Sequence, residues 1–246
     1  MVTIALYNLK GGVGKTAASI NLAYLSAKDG YKTLVWDMDP QGSSSFYLGA
    51  DAGKNETRKL LSGDQSLADA VRESPYPNLD VIPADLSARH ADILLSEMKQ
   101  SRKKIGALLS SLKKTYDIVI LDCPPGISLL HEAVFAGSDF VLMPNIPTTL
   151  SIRSYETVLD YFKENSIETS KLKCFFSMVD HRKNLHHEVM NSFYKDKFFL
   201  KNYIPYLSDV EKMGINRAPL ETFAASSYAA QCYRDLWKEI RKTCIE

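Results

Sequence analysis

Short apolar runs alternate along the chain with longer segments whose apolar residues recur at helical spacing. The short runs are rich in β-branched and aromatic residues, which is typical of buried strands, whereas the longer segments are amphipathic. We predict strands over residues 2–7, 33–36, 79–82, 118–121, 140–143, 174–179 and 203–204. We predict helices over residues 15–29, 67–73, 103–115, 129–136, 150–165, 185–195 and 227–242.

This alternation predicts the fold class. Strands that are separated by helices need crossover connections, which produce a mainly parallel sheet covered on both faces. We therefore expect an α/β fold with a mostly parallel, twisted sheet and helices on both faces. Residues 42–65 are the most loop-like stretch, but they are too short to divide the chain, so we expect residues 1–246 to form one domain.

Composition limits the classes of function. The chain has 246 residues, of which 45% are hydrophobic, so it can bury a substantial core. The formal charge is only +1, so any nucleic-acid binding must come from a local basic patch. The four cysteines are far apart and form no C-x-x-C pair, which argues against a zinc knuckle or a disulfide framework. With no signal peptide and no long apolar segment, a cytoplasmic location is expected.

The strongest motif is NLKGGVGKT, Asn8 to Thr16, which lies between a predicted strand and a predicted helix. A glycine-rich turn in this context presents backbone N–H groups to phosphate oxygens. Lys15 is expected to reach the β- and γ-phosphates, and Thr16 to place its hydroxyl on Mg²⁺. Two features depart from the ordinary phosphate loop: Leu9 stands where its first glycine belongs, and Lys10 is an additional lysine.

Carboxylates end two further apolar runs. Asp122 closes the run in YDIVILDCPPG, and Asp37 and Asp39 close the run in TLVWDMDPQG. Ligands bind at the carboxyl ends of strands in open α/β sheets. We expect Asp122 to hold Mg²⁺ through a water, although it could also simply cap the strand. Because side chains two apart on a strand share a face, Asp37 and Asp39 are expected to point at one site.

Three segments together resemble one family. KGGVGKT, DMDPQG and LDCPPG resemble the deviant Walker A, Walker A′ and Walker B motifs of the ParA/MinD group of P-loop ATPases. The resemblance continues through MPNIPTTLSIRS at 143–154, SMVDHRKNL at 177–185 and IPYLSDVEKMGINRAPLETFA at 204–224. DPQG is typical of the Soj-like, DNA-partition branch. Ala17 departs from the pattern, since the family usually repeats the threonine there, and the missing hydroxyl is expected to weaken nucleotide binding.

The resemblance implies ATP and Mg²⁺ as cofactors and a weak intrinsic ATPase. Asp39 would position the attacking water, Lys15 would stabilise the phosphates, and Lys10 would reach the phosphates held by a partner, so that the ATP-bound state is a homodimer. The implied metal residues are Thr16, Asp37 and Asp122. The implied nucleotide contacts are Lys10, Gly11, Gly12, Val13, Gly14, Lys15, Thr16 and Ala17, with Asp180 and Pro205 at the base.

The partition branch also implies partners. Its ATP-bound dimers bind double-stranded DNA non-specifically, which makes them nucleoid-associated, and a ParB-like or other adaptor protein stimulates hydrolysis and release. We expect Arg182, Lys183 and Arg217 to contact DNA. Further candidates for this basic surface are Lys195, Lys197, Lys201, Arg241 and Lys242.

Residues 227–242 help to decide which branch of the family the chain resembles. Ala230, Tyr233, Trp237 and Ile240 share one face of the predicted helix, and acids interrupt the basic residues opposite. We therefore expect a core-packed helix rather than a MinD-like membrane helix, and no stable membrane association. The first strand begins near residue 1, so no helix-turn-helix extension is expected.

Several alternatives stay open. A related ATPase could position a protein cargo, or the chain could be a MinD-like membrane-associated ATPase. A nitrogenase-reductase-like iron–sulfur protein would need bridging cysteines, and only Cys123 lies near the right loop. An amidoligase would use the same loop without Lys10 in trans. A bacterial tyrosine kinase would cluster its tyrosines, which are dispersed here, and a scaffold could bind ATP without hydrolysing it.

Overall fold

One sheet of seven strands runs through the computed structural model, which describes residues 1–246. The strands are β1 (Val2–Leu6), β2 (Thr33–Asp37), β3 (Arg72–Glu73), β4 (Leu79–Ile82), β5 (Ile118–Asp122), β6 (Phe140–Asn145) and β7 (Leu172–Phe176). Their order across the sheet is β3-β4-β2-β5-β1-β6-β7. All neighbouring pairs are parallel except β3 and β4. The predicted α/β class with a mainly parallel sheet is therefore confirmed.

Twelve helices accompany the sheet. They are α1 (Lys15–Lys28), α2 (Ser43–Tyr47), α3 (Glu56–Ser62), α4 (Ala91–Ser96), α5 (Lys104–Ser110), α6 (Leu129–Gly137), α7 (Thr149–Glu164), α8 (Asn184–Ser192), α9 (Ser208–Glu211), α10 (Met213–Asn216), α11 (Leu220–Phe223) and α12 (Tyr228–Ile240). No helix is both long and apolar enough to cross a membrane.

Strand alternation divides the core into two hydrophobic clusters, one on each face of the sheet. In β1, Ala5 belongs to one cluster, whereas Ile4 and Leu6 belong to the other. Each cluster is covered by helices, which is why the strands read as continuous apolar runs. The predicted apolar face of α12 is buried, and its Trp237 indole N–H donates to a carboxylate oxygen of Asp29 at 2.8 Å.

Two predicted elements are wrong. Residues 67–73 do not form a helix, because a 3-10 turn at Ala68–Ala70 is followed by the edge strand β3. Tertiary pairing overrides local propensity there, since the Arg72 guanidinium bonds Glu56 at 2.6 Å while the backbone pairs with β4. Residues 203–204 do not form a strand, because the chain that follows β7 leaves the extended conformation at Met178, where φ is 55°. Only an isolated bridge between Val179 and Pro205 is present.

The predicted loop over residues 42–65 contains two helices, α2 and α3. The sequence of α2 is SSSFY, and serine is a weak helix former. Tertiary hydrogen bonds to buried carboxylates, described below, hold this helix in place. The carboxyl ends of β1, β2 and β5 meet at the same edge of the sheet, where the candidate residues lie.

Candidate functional site

The loop between β1 and α1 has a backbone that requires glycine. Gly12 and Gly14 have φ values of 71° and 92°, in the left-handed region that side chains rarely adopt. A Cβ atom added at Gly14 would also lie only 2.8 Å from the Ser177 hydroxyl oxygen. None of the backbone N–H groups of residues 11–17 donates to a protein acceptor. Together with the start of α1, these N–H groups are positioned to bind an anion.

Lys15 lies under this loop, with only 7% of the residue exposed. Its ammonium nitrogen donates to the Lys10 carbonyl oxygen at 3.0 Å. Burial lowers the pKa of the Lys15 side chain, and the nearby negative charge of Asp122 acts in the opposite direction. The largely buried Lys15 ammonium group lies beside backbone N–H groups that have no protein acceptor, so it is well placed to bind a phosphate oxygen.

Asp37 and Asp122 stand side by side, because they are register partners at the ends of β2 and β5. Both side chains are almost completely buried. Burial raises the pKa of Asp37, and the adjacent Asp122 raises it further. Burial also raises the pKa of Asp122, although the hydroxyls of Ser44, Thr16 and Ser19 oppose this rise by stabilising the carboxylate.

Hydroxyl donors surround the two carboxylates. The Asp122 carboxylate accepts hydrogen bonds from Ser44 at 2.7 Å and Ser19 at 3.0 Å. Asp37 accepts from the backbone N–H and the hydroxyl of Ser45, at 2.8 and 2.7 Å. This all-oxygen set suits a hard cation such as Mg²⁺. The chain gathers no cluster of three or more His, Cys, Asp or Glu side chains that could hold a metal ion by themselves.

Asp39 lies beyond the strand, because β2 ends at Asp37. The strand-alternation argument therefore does not apply to Asp39. Its backbone N–H donates to Asp37 at 3.2 Å, and its carboxylate accepts from the Gln41 N–H at 3.0 Å. Asp39 is partly exposed in this turn, and its negative charge acts on Lys15 from nearby.

Lys10 lies at the outer edge of the loop. Its backbone N–H donates to the side chain of Asn8 at 2.9 Å, and its ammonium nitrogen donates to the Leu150 carbonyl oxygen at 2.7 Å. The ammonium group therefore points to the start of α7, away from the anion-binding N–H groups of its own chain. The neighbouring Gly11 and Gly12 are exposed.

A cavity of about 210 Å³ adjoins the loop and the start of α1. Its lining is mainly apolar and includes Pro205 and Ala17, as expected for a base pocket. Asp180 does not line it but lines an adjacent cavity, where it is paired with Arg182. The full lining of the first cavity is Gly12, Gly14, Ala17, Ser177, Met178, Ile204, Pro205, Tyr206, Leu207, Val210, Glu211 and Tyr233.

The three nominated DNA contacts are all exposed. The Arg182 guanidinium donates two hydrogen bonds to Asp180. Lys183 precedes α8. Arg217 ends α10 with a φ of 47°, and its guanidinium carbon lies 4.4 Å from the centre of the Phe46 ring.

Sequence reasoning missed several residues of this site. Ser44 and Ser45 bind the two carboxylates, and Tyr7 donates from its hydroxyl to the Gly126 carbonyl oxygen at 2.9 Å, which ties the β1 strand to the loop after Asp122. The sequence feature that could have indicated Ser44 and Ser45 was their position, because SSS, residues 43–45, directly follows DPQG. Cys123 is buried and its thiol donates to the Leu121 carbonyl oxygen, so it does not offer a surface ligand for an iron–sulfur cluster.

Comparison with known proteins agrees with this geometry. Residues 1–173 match the family described as "AAA domain". The chromosome-partitioning ATPase Soj of Treponema pallidum is 32% identical, over 97% of this chain and 96% of its own length. An ATP complex of McdA from Cyanothece is similar with a TM-score of 0.85 at 18% identity, over 99% of this chain and 96% of that one.

The Mg-ADP complex of the septum site-determining protein MinD from Pyrococcus horikoshii OT3 is similar with a TM-score of 0.80 at 22% identity, over 98% of this chain and 96% of that one. At these identities the two structural likenesses bear on the fold alone. The sequence relationship, by contrast, extends over nearly the whole chain. The chain therefore belongs to the ParA/MinD family of P-loop partition ATPases.

Proposed function

We propose that this chain is a Mg²⁺-dependent ATPase that dimerises around ATP, binds double-stranded DNA non-specifically and leaves it after hydrolysis. The observation that carries the proposal is the meeting of three features at one sheet edge: free amides over residues 11–17, the buried Lys15 and the paired carboxylates of Asp37 and Asp122. Phosphoryl transfer needs positioning and charge neutralisation more than covalent chemistry.

The roles follow from position. Residues Lys10 to Ala17 bind the phosphates. Pro205 lines the base pocket, and Asp180 lines the cavity beside it. Thr16, Asp37 and Asp122 hold Mg²⁺, which neutralises phosphate charge when it is bound. Asp39, in the turn after β2, positions the attacking water. Its partial exposure supports this role, because the group must approach a water at the open side of the site.

The dimer is supported by the surface around Lys10. Two apolar side chains near the loop are solvent-exposed, Ile127 at 41% and Leu150 at 65%. An interface would bury both of them. The Lys10 ammonium has one bond, to the backbone of Leu150, and can exchange it for a phosphate on a second copy of the chain. Two ATP-bearing surfaces repel each other unless a cation crosses between them.

The proposed roles of DNA and of an adaptor protein rest on the family relationship and on the basic residues Arg182, Lys183 and Arg217. A dimer presents this set twice, so its affinity for DNA is expected to fall steeply with salt. A ParB-like or other adaptor stimulates hydrolysis and so releases the nucleoid-associated dimer. The burial of the apolar face of α12 supports this reading over a membrane-binding one.

Three measurements test the proposal: nucleotide affinity, mass by light scattering and anisotropy of a labelled duplex at low salt. Wild type should bind ATP, dimerise and bind DNA. Lys15→Ala should lose nucleotide binding, whereas Lys10→Ala should bind ATP but stay monomeric. Lys28→Ala, at the other end of α1, is the control and should behave as wild type. Failure of wild type to bind DNA at low salt would contradict the DNA role. ATP-dependent dimerisation of Lys10→Ala would contradict the proposal that Lys10 contacts the phosphates held by the second subunit.

A further inference from the structure

The start of α2 is bonded to both carboxylates of the nucleotide site. Ser44 donates to Asp122 at 2.7 Å, and Ser45 donates twice to Asp37, at 2.8 and 2.7 Å. The Ser45 hydroxyl also accepts from the Ala84 N–H at 3.0 Å. These side chains are buried, so the bonds are not exchanged with bulk water. Buried hydrogen bonds therefore join α2 directly to both Asp37 and Asp122.

The other end of α2 contacts the segment that carries Arg217. The Arg217 guanidinium carbon lies 4.4 Å from the centre of the Phe46 ring, which is a cation–π contact. One residue further along α2, the hydroxyl of Tyr47 lies 3.9 Å from the position of a Cβ at Gly214. A helix of five residues thus touches the nucleotide carboxylates at one end and α10 at the other.

The contact leaves Arg217 free to bind phosphate. No carboxylate pairs with Arg217, and no hydrogen bond uses its N–H groups. An aromatic ring offers no oxygen or nitrogen acceptor, so the contact with Phe46 places the charge of Arg217 over the ring and leaves the five N–H donors of the guanidinium available. Arg182 differs, because its donors are engaged by Asp180. Phe46 thus holds the charge of Arg217 in place without consuming its donors.

We propose that Phe46 is a positioning residue for Arg217, and that α2 transmits the state of the nucleotide site to this DNA contact. The inference rests on the proposed function. A change in the hydrogen bonds at Asp37 or Asp122 moves α2, and with it the ring that supports the guanidinium. DNA affinity then follows the nucleotide through a connection within each subunit, in addition to the doubling of basic residues by dimerisation.

Two readouts test the inference. Hydrogen exchange of residues 213–217, with and without a non-hydrolysable ATP analogue, reports the connection without DNA. Anisotropy of a labelled random-sequence duplex reports its effect on binding. In wild type the analogue should change exchange in 213–217. Phe46→Leu should remove that change and weaken analogue-dependent DNA binding about two- to five-fold, the equivalent of ~0.5–1 kcal/mol for an exposed cation–π contact.

Three variants serve as comparisons. Phe46→Tyr keeps an aromatic ring and should behave as wild type. Tyr194→Leu removes a matched exposed ring, which lies 4.4 Å from the Lys201 ammonium but far from α2 in sequence, and should leave the nucleotide-dependent exchange unchanged. Arg217→Lys keeps the charge but replaces the planar guanidinium with a compact, strongly hydrated ammonium group, and should reproduce the Phe46→Leu result even if Phe46→Leu folds poorly.

The inference is overturned if Phe46→Leu and Arg217→Lys retain the wild-type exchange response, or if wild type shows no response. A folded wild type that responds in exchange but never binds DNA would support the connection while contradicting the proposed DNA function. The two failures are therefore distinguishable.

Discussion

The Arg182 guanidinium forms a two-point ion pair with the Asp180 carboxylate, with both N···O distances at 2.9 Å. The pair lowers the pKa of Asp180, chiefly through the side-chain hydrogen bond from Arg182. The Arg182 side chain is 84% exposed, so the ion pair with Asp180 is the interaction that a DNA phosphate would have to replace. An exposed ion pair of this kind is easily exchanged.

Removing the carboxylate should strengthen DNA binding. In Asp180→Asn the guanidinium is released and one negative charge is lost, so affinity at low salt should rise about two- to ten-fold, and the slope of log affinity against log salt should steepen by up to about one. Salt titrations by anisotropy measure both. Asp160→Asn, which breaks the Lys163 pair on α7, is the charge-matched control. Equal effects in the two variants would show that only net charge matters.

The loop glycines should differ in their tolerance of alanine. Gly14→Ala places a side chain at a φ of 92° and 2.8 Å from the Ser177 hydroxyl, so we expect nucleotide affinity to fall about ten-fold or more. Gly11→Ala meets no atom within 4 Å and needs no left-handed φ, so its affinity should be close to wild type. Calorimetric titration with ADP measures both. Similar losses would place the constraint elsewhere in the loop.

Asp39→Ala should separate binding from hydrolysis. If the carboxylate positions the attacking water, phosphate release should fall about 10²-fold while ATP affinity is kept, and an ATP-bound dimer should persist on DNA. Radiolabelled phosphate release and DNA dissociation rates measure the two effects. Asp51→Ala removes an exposed aspartate further along the same segment and should hydrolyse ATP normally. Normal hydrolysis by Asp39→Ala would refute the assigned role.

Two glycines at the contact between α5 and α6 allow a matched stability test. A Cβ at Gly137 would lie 2.8 Å from the backbone nitrogen of Gly106, whereas a Cβ at Gly106 would lie at an ordinary 3.5 Å from the Gly137 Cα. Gly137→Ala should therefore lower the free energy of unfolding by about 1–3 kcal/mol. Gly106→Ala, inside a helix, should be neutral or stabilise by up to about 1 kcal/mol. Urea unfolding that ranks them oppositely would contradict this packing.

His131 should make stability fall in mild acid. Burial lowers the pKa of its imidazole, although its ring bonds the Pro124 carbonyl oxygen and the Ser128 hydroxyl, both at 3.0 Å. The folded state thus favours the neutral ring, and its contribution is present above the unfolded pKa of about 6.5 and is lost as pH falls below it.

Between pH 8 and pH 5, the free energy of unfolding of wild type should therefore fall on the order of 1 kcal/mol more than that of His131→Gln. Urea titrations at several pH values measure the difference, and the comparison uses pH dependence rather than absolute stability. Parallel curves for wild type and His131→Gln would refute the prediction.

The sequence predicted the parts of this protein that depend on local pattern. The phosphate loop, the strand ending in Asp122 and the buried face of α12 follow from glycine spacing, an apolar run and helical periodicity, and each is present. The family resemblance is confirmed by the relationship to Soj. The roles of Lys10, Asp39 and the DNA contacts stay predictions.

The parts that depend on tertiary contact were not predictable in this way. The helix α2 has a serine-rich sequence that favours a loop, and it forms because Ser44 and Ser45 find buried acceptors that lie far apart in the chain. The edge strand β3 forms because β4 offers a free edge. The local pattern of apolar and polar residues does not indicate which distant residues will become such partners.

The side-by-side register of Asp37 and Asp122 has a consequence for how the sheet assembles. A one-residue slip of β2 or β5 would turn its carboxylate to the opposite face, among the cluster that contains Trp36 and Leu121. An unpaired carboxylate is far more costly there than beside the hydroxyls of α2. The two acids therefore disfavour misaligned strands during folding. A variant that neutralises both should tolerate a shifted register of β2 or β5 more readily, and it would also lose the proposed cation site.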